Sequence, residues 1–450
     1  MLKYNILCAP FHWDTMGFVI PAAEDIFHHG VFINKARSTG HPPLFLLTLA
    51  LTWKIFGKKL FVSHLLNIII GSLGLTSLFF LAKKLYGIKV ALLASTFLLF
   101  NQTFFSQLGL VYLSIPLLFT AILTVFSYIQ QKYWLYLCSA VSMLLIKETS
   151  IVVLGSIFVY EFLMKLSKRE KFKIIFKRMG MLTIPVIPLL IWWFIHYQTI
   201  GRIYKIDIFI NRGNFLTNFF NNFVKSYIYD FSIEKYNRAN WIIFILLILF
   251  FSTSIKRRKF TYEFLFILII LSNILLFTLT DDLPRYFLIT MPFFLLMGAR
   301  ASVCLTKALK GKNIILIVLA ALYISVSVSN YYGKRNTDGW RLESNMEYLD
   351  MICLHKRACR FIETNYGSDY IITNYPLNIA LRNPWYGYVK NPIRVINFQG
   401  FDQHDHVLLL WSAQSNFGIM PRFIDQNRHR LRNIRNFSFR GKRVKILKKR

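Results

Sequence analysis

Acids and cysteines are scarce in this 450-residue chain, and the short motifs of soluble catalysis are missing from it. Five cysteines (Cys8, Cys138, Cys304, Cys353 and Cys359) give neither a metal-ligand spacing nor a disulfide framework. Cys353 and Cys359, six apart on a segment of helical periodicity, point to different faces, and all five read as free thiols. No Gly-x-Ser-x-Gly, His-Glu-x-x-His or P-loop pattern occurs, so those nucleophile, zinc and nucleotide signatures are excluded. Internal repeats and low-complexity linkers are also absent from the pattern. Met1 to Pro10 is too short for the apolar core of a signal peptide, so insertion is expected to rely on the later apolar runs.

Against 21 Asp and Glu stand 54 Lys and Arg, a formal charge of +33. In a soluble chain that excess would suggest nucleic acid. Here 55% of residues are hydrophobic, 17% are aromatic and the mean hydropathy is +0.44, which points to a membrane protein whose basic residues sit in cytoplasmic loops and near anionic lipid. No nucleic-acid partner is expected. Apolar runs at 61–81, 90–105, 110–129, 133–147, 149–164, 181–198, 241–255, 262–279, 287–306 and 313–331 predict about ten transmembrane helices. Four basic clusters fix their orientation: Lys83 to Lys89, Lys165 to Arg178, Lys256 to Lys259, and Lys307 to Lys312. With these in the cytoplasm, the N-terminal loop, the turn near Ser106, the 199–240 loop, Thr280 to Arg285 and the C-terminus all fall on the opposite side. Leu44 to Gly57 spans about 14 residues, roughly 21 Å as a helix, too short for a simple crossing; it reads as a half-inserted helix, with a short tilted span as the alternative.

After Tyr332 the pattern changes. An amphipathic helix, Glu343 to Asn365, is followed by β-rich runs at Asp369 to Thr373, Ile393 to Asn397 and His406 to Trp411. The fold class expected is therefore a polytopic all-α membrane protein with a small C-terminal extracytoplasmic α/β domain. Its parts would be an N-terminal catalytic loop with juxtamembrane helices (1–60), a transmembrane domain (61–332) and the soluble domain (333–450). The basic end, Arg440 to Arg450, reads as a solvated or lipid-facing edge.

Ahead of the apolar runs lies a polar stretch carrying Asp14. It precedes a predicted helix, Gly17 to His28, and could simply cap it. It could equally be a general base at the membrane surface, taking a proton from an acceptor hydroxyl. Glu24 and Asp25, further along that helix, read as a solvated face, with a site role as the secondary possibility. His12, His28 and His29 read as interfacial rather than as metal ligands.

The order Trp13-Asp14, Ala22-Ala23, Gly30, Gly40-His41-Pro42-Pro43-Leu44, Ile55-Phe56-Gly57 and Leu81-Ala82-Lys83-Lys84-Leu85-Tyr86-Gly87 resembles the membrane glycosyltransferases of the GT-C superfamily. The nearest likeness is to the protein O-mannosyltransferase-like branch that includes the lipid A aminoarabinose transferases. Leu144-Leu145-Ile146-Lys147-Glu148-Thr149, Leu283-Pro284-Arg285-Tyr286 and Pro292 extend the resemblance over about 14–300.

The resemblance implies an inverting hexosyl or pentosyl transfer from a polyprenyl-phosphate carrier to a lipid, glycan or protein hydroxyl or phosphate, on the extracytoplasmic face and without a cofactor. Asp14 would then be the base. His41, Lys147, Arg285 and Tyr286 would bind substrate, because a phosphate leaving group needs cationic or hydrogen-bonding partners. Each has a plainer reading: His41 caps a turn before two prolines, Lys147 pairs with Glu148 or snorkels, Arg285 neutralises Asp281 and Asp282, and Tyr286 anchors at the interface. Glu148 and Asp282 are secondary candidates.

Two departures stand out. Where the family usually carries an acid at the start of the fourth span, this chain reads Leu113-Ser114-Ile115-Pro116-Leu117, and only 13 residues precede the aspartate where relatives have a span. Two other classes therefore stay open, a transporter or flippase for a lipid-linked saccharide and a catalytically inactive relative. The residue bias towards Phe, Ile, Lys and Asn suggests a low-GC prokaryote, hence a multi-pass protein of a bacterial cytoplasmic membrane.

Overall fold

The computed structural model describes residues 6–34, 40–201, 238–254, 262–279, 284–308, 313–331, 342–415 and 419–450. Helices dominate. A five-residue π turn, Thr15–Val19, leads into α1 (Ile20–His29), followed by α2 (Leu44–Phe56), α3 (Leu60–Tyr86), α4 (Ile88–Phe100), α5 (Gln102–Leu108), α6 (Ser114–Ile129) and α7 (Tyr133–Ile146). Then come α8 (Ile151–Ser167), α9 (Phe172–Thr183), α10 (Val186–Ile200), α11 (Asn240–Ser254), α12 (Tyr262–Leu279), α13 (Met291–Ala308) and α14 (Ile314–Asn330).

Each of the ten expected apolar ranges carries helix. By length and composition, however, only Leu60–Tyr86 and Glu148–Ser167 among the described residues could cross a membrane as single helices. Counting each of two bent pairs as one span raises the number to four; α4 and α5 bend by 64°, and α9 and α10 by 47°. The breaks have identifiable causes. At the first, Asn101 leaves helical geometry and its side chain accepts a hydrogen bond from the Phe104 backbone N–H (3.1 Å), capping α5. At the second, Pro185 cannot donate to the preceding turn.

Close helix packing follows from small residues. α3 buries Ser63, Asn67, Gly71, Gly74, Leu78 and Ala82 along one stripe. A Cβ placed on Gly71 would come within 2.2 Å of Leu108, and one on Gly74 within 3.0 Å of Leu118, so α3 lies against α5 and α6 only because both positions are glycine. Asn67 turns the same approach to use: its amide donates to the carbonyls of Gln107, Leu108 and Leu110 at 2.7–3.1 Å, satisfying the orphan end of α5. α2 stands apart as a 13-residue helix with Phe45, Leu46, Leu49, Ala50 and Trp53 buried on one side, and Leu51, Ile55 and Phe56 exposed on the other.

The C-terminal domain is the expected α/β unit. α15 (Glu347–Tyr366), α16 (Leu377–Arg382), α17 (Gly400–Gln403) and α18 (Ile419–Gln426) accompany β1 (Tyr370–Thr373), β2 (Val395–Ile396), β3 (Val407–Ser412), β4 (Leu431–Phe439) and β5 (Lys442–Lys449). Strand order is β2-β1-β3-β5-β4, with β2, β1 and β3 parallel and β5 antiparallel to both its neighbours. The strand alternation decides which residue faces which cover. Leu408, Leu410, Val444 and Ile446 join the main core with α15, while Ile372, Val407, Leu409 and Leu431 pack with Phe401 and Met420.

The basic end is more ordered than its composition suggests: Lys442–Lys449 is an interior strand, paired on both sides, with Arg443 and Lys445 exposed on it. Its first lysine is buried, 3% exposed, and bonds Glu347 at 2.9 Å. Lysines flanking Val444 and Ile446 had masked a period-two strand pattern.

Candidate active site

Asp14 sits where the chain turns from an irregular segment into helix, and its setting is unusual for a cap. Trp13 adopts φ 40°, and Thr15–Val19 is π-helical, a local combination seen where side chains must be aimed rather than where backbone is relaxed. The capping reading fails: Asp14 occupies the N-cap position but makes no side-chain capping bond. Its carboxylate instead accepts from Arg285 Nη2 at 2.5 Å, across 271 residues of sequence.

The segment that carries Asp14 is held from two sides. On the helical side, His64 of α3 bonds the Ala9 carbonyl at 3.0 Å, and the Tyr112 hydroxyl lies 3.2 Å from the His12 carbonyl. From the C-terminal domain, Tyr388 donates to the Phe11 carbonyl (2.8 Å), the Phe11 N–H donates to the Tyr386 carbonyl (3.2 Å), and the Gln414 amide meets His12 Nε2 at 3.1 Å. Tyr375 packs edge-on against Trp13, ring centroids 4.9 Å apart, and its hydroxyl would lie 2.7 Å from a Cβ on Gly17. Only glycine leaves room there. Burial, with help from His355 and Arg285, lowers the pKa of His12 to about 3, so it enters this network neutral and accepts from Gln414.

Five residues singled out in the sequence, Asp14, His41, Lys147, Arg285 and Tyr286, line one cavity of about 180 Å³, together with Tyr112 and Ser114. Phe18, Val19 and Leu46, from α1 and its π turn and from α2, give it an apolar wall. Lys147 follows the last turn of α7 in an extended conformation, and the hydroxyl of Ser150 donates to its carbonyl at 2.7 Å, fixing the break. Its ammonium lies 4.1 Å from the centre of the Tyr286 ring, a cation–π contact. Tyr286 in turn stacks on Phe277 at 5.0 Å. Arg285 starts the 3-10 turn Pro284–Ile289 with Pro284 and is 11% exposed.

The partners differ from the plainer readings. His41 Nδ1 bonds Glu148 at 3.0 Å, so Glu148 serves the histidine and His41 is more than a turn cap. Arg285 is bridged between Asp14 and Glu343, and Tyr112 donates to the same Glu343 carboxylate. Burial alone would disfavour its charge, but Asp14, Tyr286 and Tyr112 around it raise its pKa above the ordinary arginine value. Glu24 and Asp25 lie away from the cavity, Glu24 paired with Lys58 and Asp25 accepting from Asn34 at 2.9 Å. Asp281 and Asp282 lie outside the described residues. Among the described residues, no three His, Cys, Asp or Glu side chains are grouped as metal ligands.

Glu343, Tyr112 and Tyr375 were missed. Glu343 looked like the first acid of an amphipathic helix, and Tyr112 was hidden in an apolar run. The available signal was scarcity: in a chain with 21 acids, Glu343 is one of only two, with Asp338, in the stretch between the last apolar run and α15. Glu343 also bears on the absent acid at Ser114. Tyr112, two residues earlier on the same wall, reaches Glu343, so a second carboxylate, from the C-terminal domain, stands behind Tyr112 and Arg285 outside the cavity lining.

Comparison with known proteins adds a partial family match and a fold. Residues 40–192, about a third of the chain, match the family described as dolichyl-phosphate-mannose-protein mannosyltransferase. Among solved structures, ArnT from Cupriavidus metallidurans, determined bound to undecaprenyl phosphate and in the apo state, superposes with a TM-score of 0.57 at 12% identity, over 98% of this chain and 95% of that one. The Archaeoglobus fulgidus oligosaccharyltransferase in its apo form gives 0.52 at 9% identity, over 90% of this chain and 66% of the other. No curated protein sequence matches. The chain is thus similar over residues 40–192 to that family, and over nearly its whole length it shares the fold of ArnT.

Proposed function

We propose that this chain is an integral membrane glycosyltransferase that moves a sugar from a polyprenyl-phosphate carrier to a hydroxyl or phosphate acceptor on the extracytoplasmic face, with inversion. The observation that carries this reading is the cavity itself: a carboxylate, two cations, a histidine and a tyrosine from distant segments converge beside an apolar wall. About ten membrane crossings, some as broken or short helices, would surround it, with the C-terminal domain as an extracytoplasmic cover and 1–60 as the catalytic loop and its juxtamembrane helices. A bacterial cytoplasmic membrane fits this arrangement.

In the proposed reaction an acceptor hydroxyl enters beside Asp14. Its oxygen attacks the anomeric carbon of the donor while the proton passes to the Asp14 carboxylate. The bond from the anomeric carbon to the phosphate oxygen breaks, and the polyprenyl phosphate leaves with the bonding pair. For a phosphate acceptor that is already ionised, Asp14 would position rather than deprotonate. Lys147 and Arg285 stabilise the charge developing on the leaving phosphate, an effect strengthened in a water-poor cavity. The isoprenoid chain would lie along Phe18, Val19 and Leu46. Glu343 acts through Arg285, holding the guanidinium in place. ArnT bound to undecaprenyl phosphate supports a lipid carrier of this class for the fold.

The test is transfer in proteoliposomes supplied with radiolabelled polyprenyl-phosphate sugars and extracted envelope acceptors. Wild type should convert donor to free polyprenyl phosphate and labelled acceptor, and Asp14→Asn should not. Movement of intact donor across the bilayer without cleavage would favour the transporter reading instead.

A further inference from the structure

The C-terminal end of the chain carries charge that the proposed reaction does not use. Between 419 and 450 there are 12 Lys and Arg and a single acid, Asp425. Seven of these cations fall into two groups. Arg430, Arg440, Lys442 and Lys448 are each paired with an acid: Asp402, Asp350, Glu347 and Asp369 respectively. Among the described residues, no acid pairs with Arg428, Lys445 or Arg450. Those three surround a cleft of about 600 Å³, on the sheet face opposite α15.

Strand register explains the cleft. Trp411 of β3 lies opposite Lys445 of β5, and Leu447 of β5 opposite Asn433 of β4, so these four side chains share one face. α18 covers only part of that face. The floor left open is a half-buried Trp411 beside Leu431 and Leu447, with Lys445 Nζ 5.4 Å from the indole. An aromatic and aliphatic floor with an amide and unneutralised cations at its rim suits a flat, polar ring that bears negative charge.

We propose that this cleft binds an anionic saccharide, one carrying phosphate or carboxylate groups, as a subsite apart from the Asp14 cavity. The sugar ring lies against Trp411 and Leu447, its hydroxyls bond Asn433 and Asp425, and its anionic groups pair with Arg428, Lys445 and Arg450. That this saccharide is part of the acceptor rests on the transferase reading; the binding does not.

The experiment uses the full chain in detergent micelles, titrated with phosphorylated maltohexaose, hexameric oligogalacturonate and unmodified maltohexaose, with transfer assayed in parallel on the same preparation. One or both anionic probes should bind at least tenfold more tightly than maltohexaose and weaken steeply with salt. The exposed pair of substitutions Arg428→Ser and Lys445→Ser should weaken binding tenfold or more with an unchanged melting temperature. Trp411→Leu should weaken it for both anionic probes. Equal affinity for maltohexaose, or unchanged affinity in the Arg428→Ser, Lys445→Ser variant, overturns the subsite. Binding to phosphatidylglycerol vesicles with none to either saccharide also overturns it, assigning the charge to a lipid surface. Binding without transfer would sink the transferase reading and leave the cleft; transfer without binding would do the reverse.

Discussion

Two regions fix the residues around Asp14, and they do so by different physics. The helical wall presents His41, Lys147, Arg285 and Tyr286 from breaks between apolar helices, where an ionisable side chain can keep its charge only if neighbours stabilise it. The C-terminal domain, here called the cover, lies outside the cavity lining and holds the segment bearing Asp14 and its partner Arg285 through Glu343, Tyr375 and Gln414. On the proposed reading the wall supplies cations for a leaving phosphate, while the C-terminal domain sets where the base sits, so that reactivity and alignment would be carried by different parts of the chain.

Substitutions can separate these two contributions. The largest effect should come from Arg285→Lys, which keeps the charge but loses the planar fork that meets Asp14 and Glu343 together. Transfer should fall about 100-fold or more, read as turnover with a labelled donor, because both regions lose their shared partner. Lys147→Gln should lower turnover by a similar order while leaving Asp14 and the cover in place. The cover contribution alone is read by Glu343→Gln, expected to reduce turnover about tenfold with little change in carrier affinity. If Glu343→Gln matched Arg285→Lys, the distinction between wall and cover would collapse.

Smaller effects should fall on stability. Gly17→Ala forces the Tyr375 ring aside and should cost on the order of 1–3 kcal/mol, measured by thermal unfolding in detergent. Combining it with Tyr375→Ala should cost less than the sum, since the clash is then gone. A separate effect on stability is its pH dependence. His12 and His355, buried and neutral, have folded pKa values near 3, while the unfolded chain takes up their protons near 6.5. Stability should therefore be full above pH 6.5 and decline as pH falls towards 3, by up to about 1.4 kcal/mol per pH unit for each histidine. His355→Gln should flatten that slope.

The wall was readable through the resemblance and the charge count: Lys147, Arg285 and His41 belong to the motifs that carry the likeness and fall on one side of the membrane by the basic clusters, so they could be chosen before any geometry was known. The cover was not readable, because its residues look ordinary in a soluble domain. Glu343 opens what reads as an amphipathic helix, and Tyr375 lies in a loop with no period. Lys442 to Lys449 hides strand alternation beneath repeated lysines, although Val444 and Ile446 carry it. Helix positions followed from hydropathy, but the lengths did not. Bends at Asn101 and Pro185 split what hydropathy reads as continuous runs.

The central claim is that Asp14 acts on the acceptor proton while the wall binds the carrier phosphate. The most direct measurement is carrier binding and single-turnover transfer side by side in Asp14→Asn. The account predicts polyprenyl-phosphate affinity within about threefold of wild type and a loss of transfer by about 100-fold or more. Retained transfer with this variant, at any carrier affinity, would contradict it.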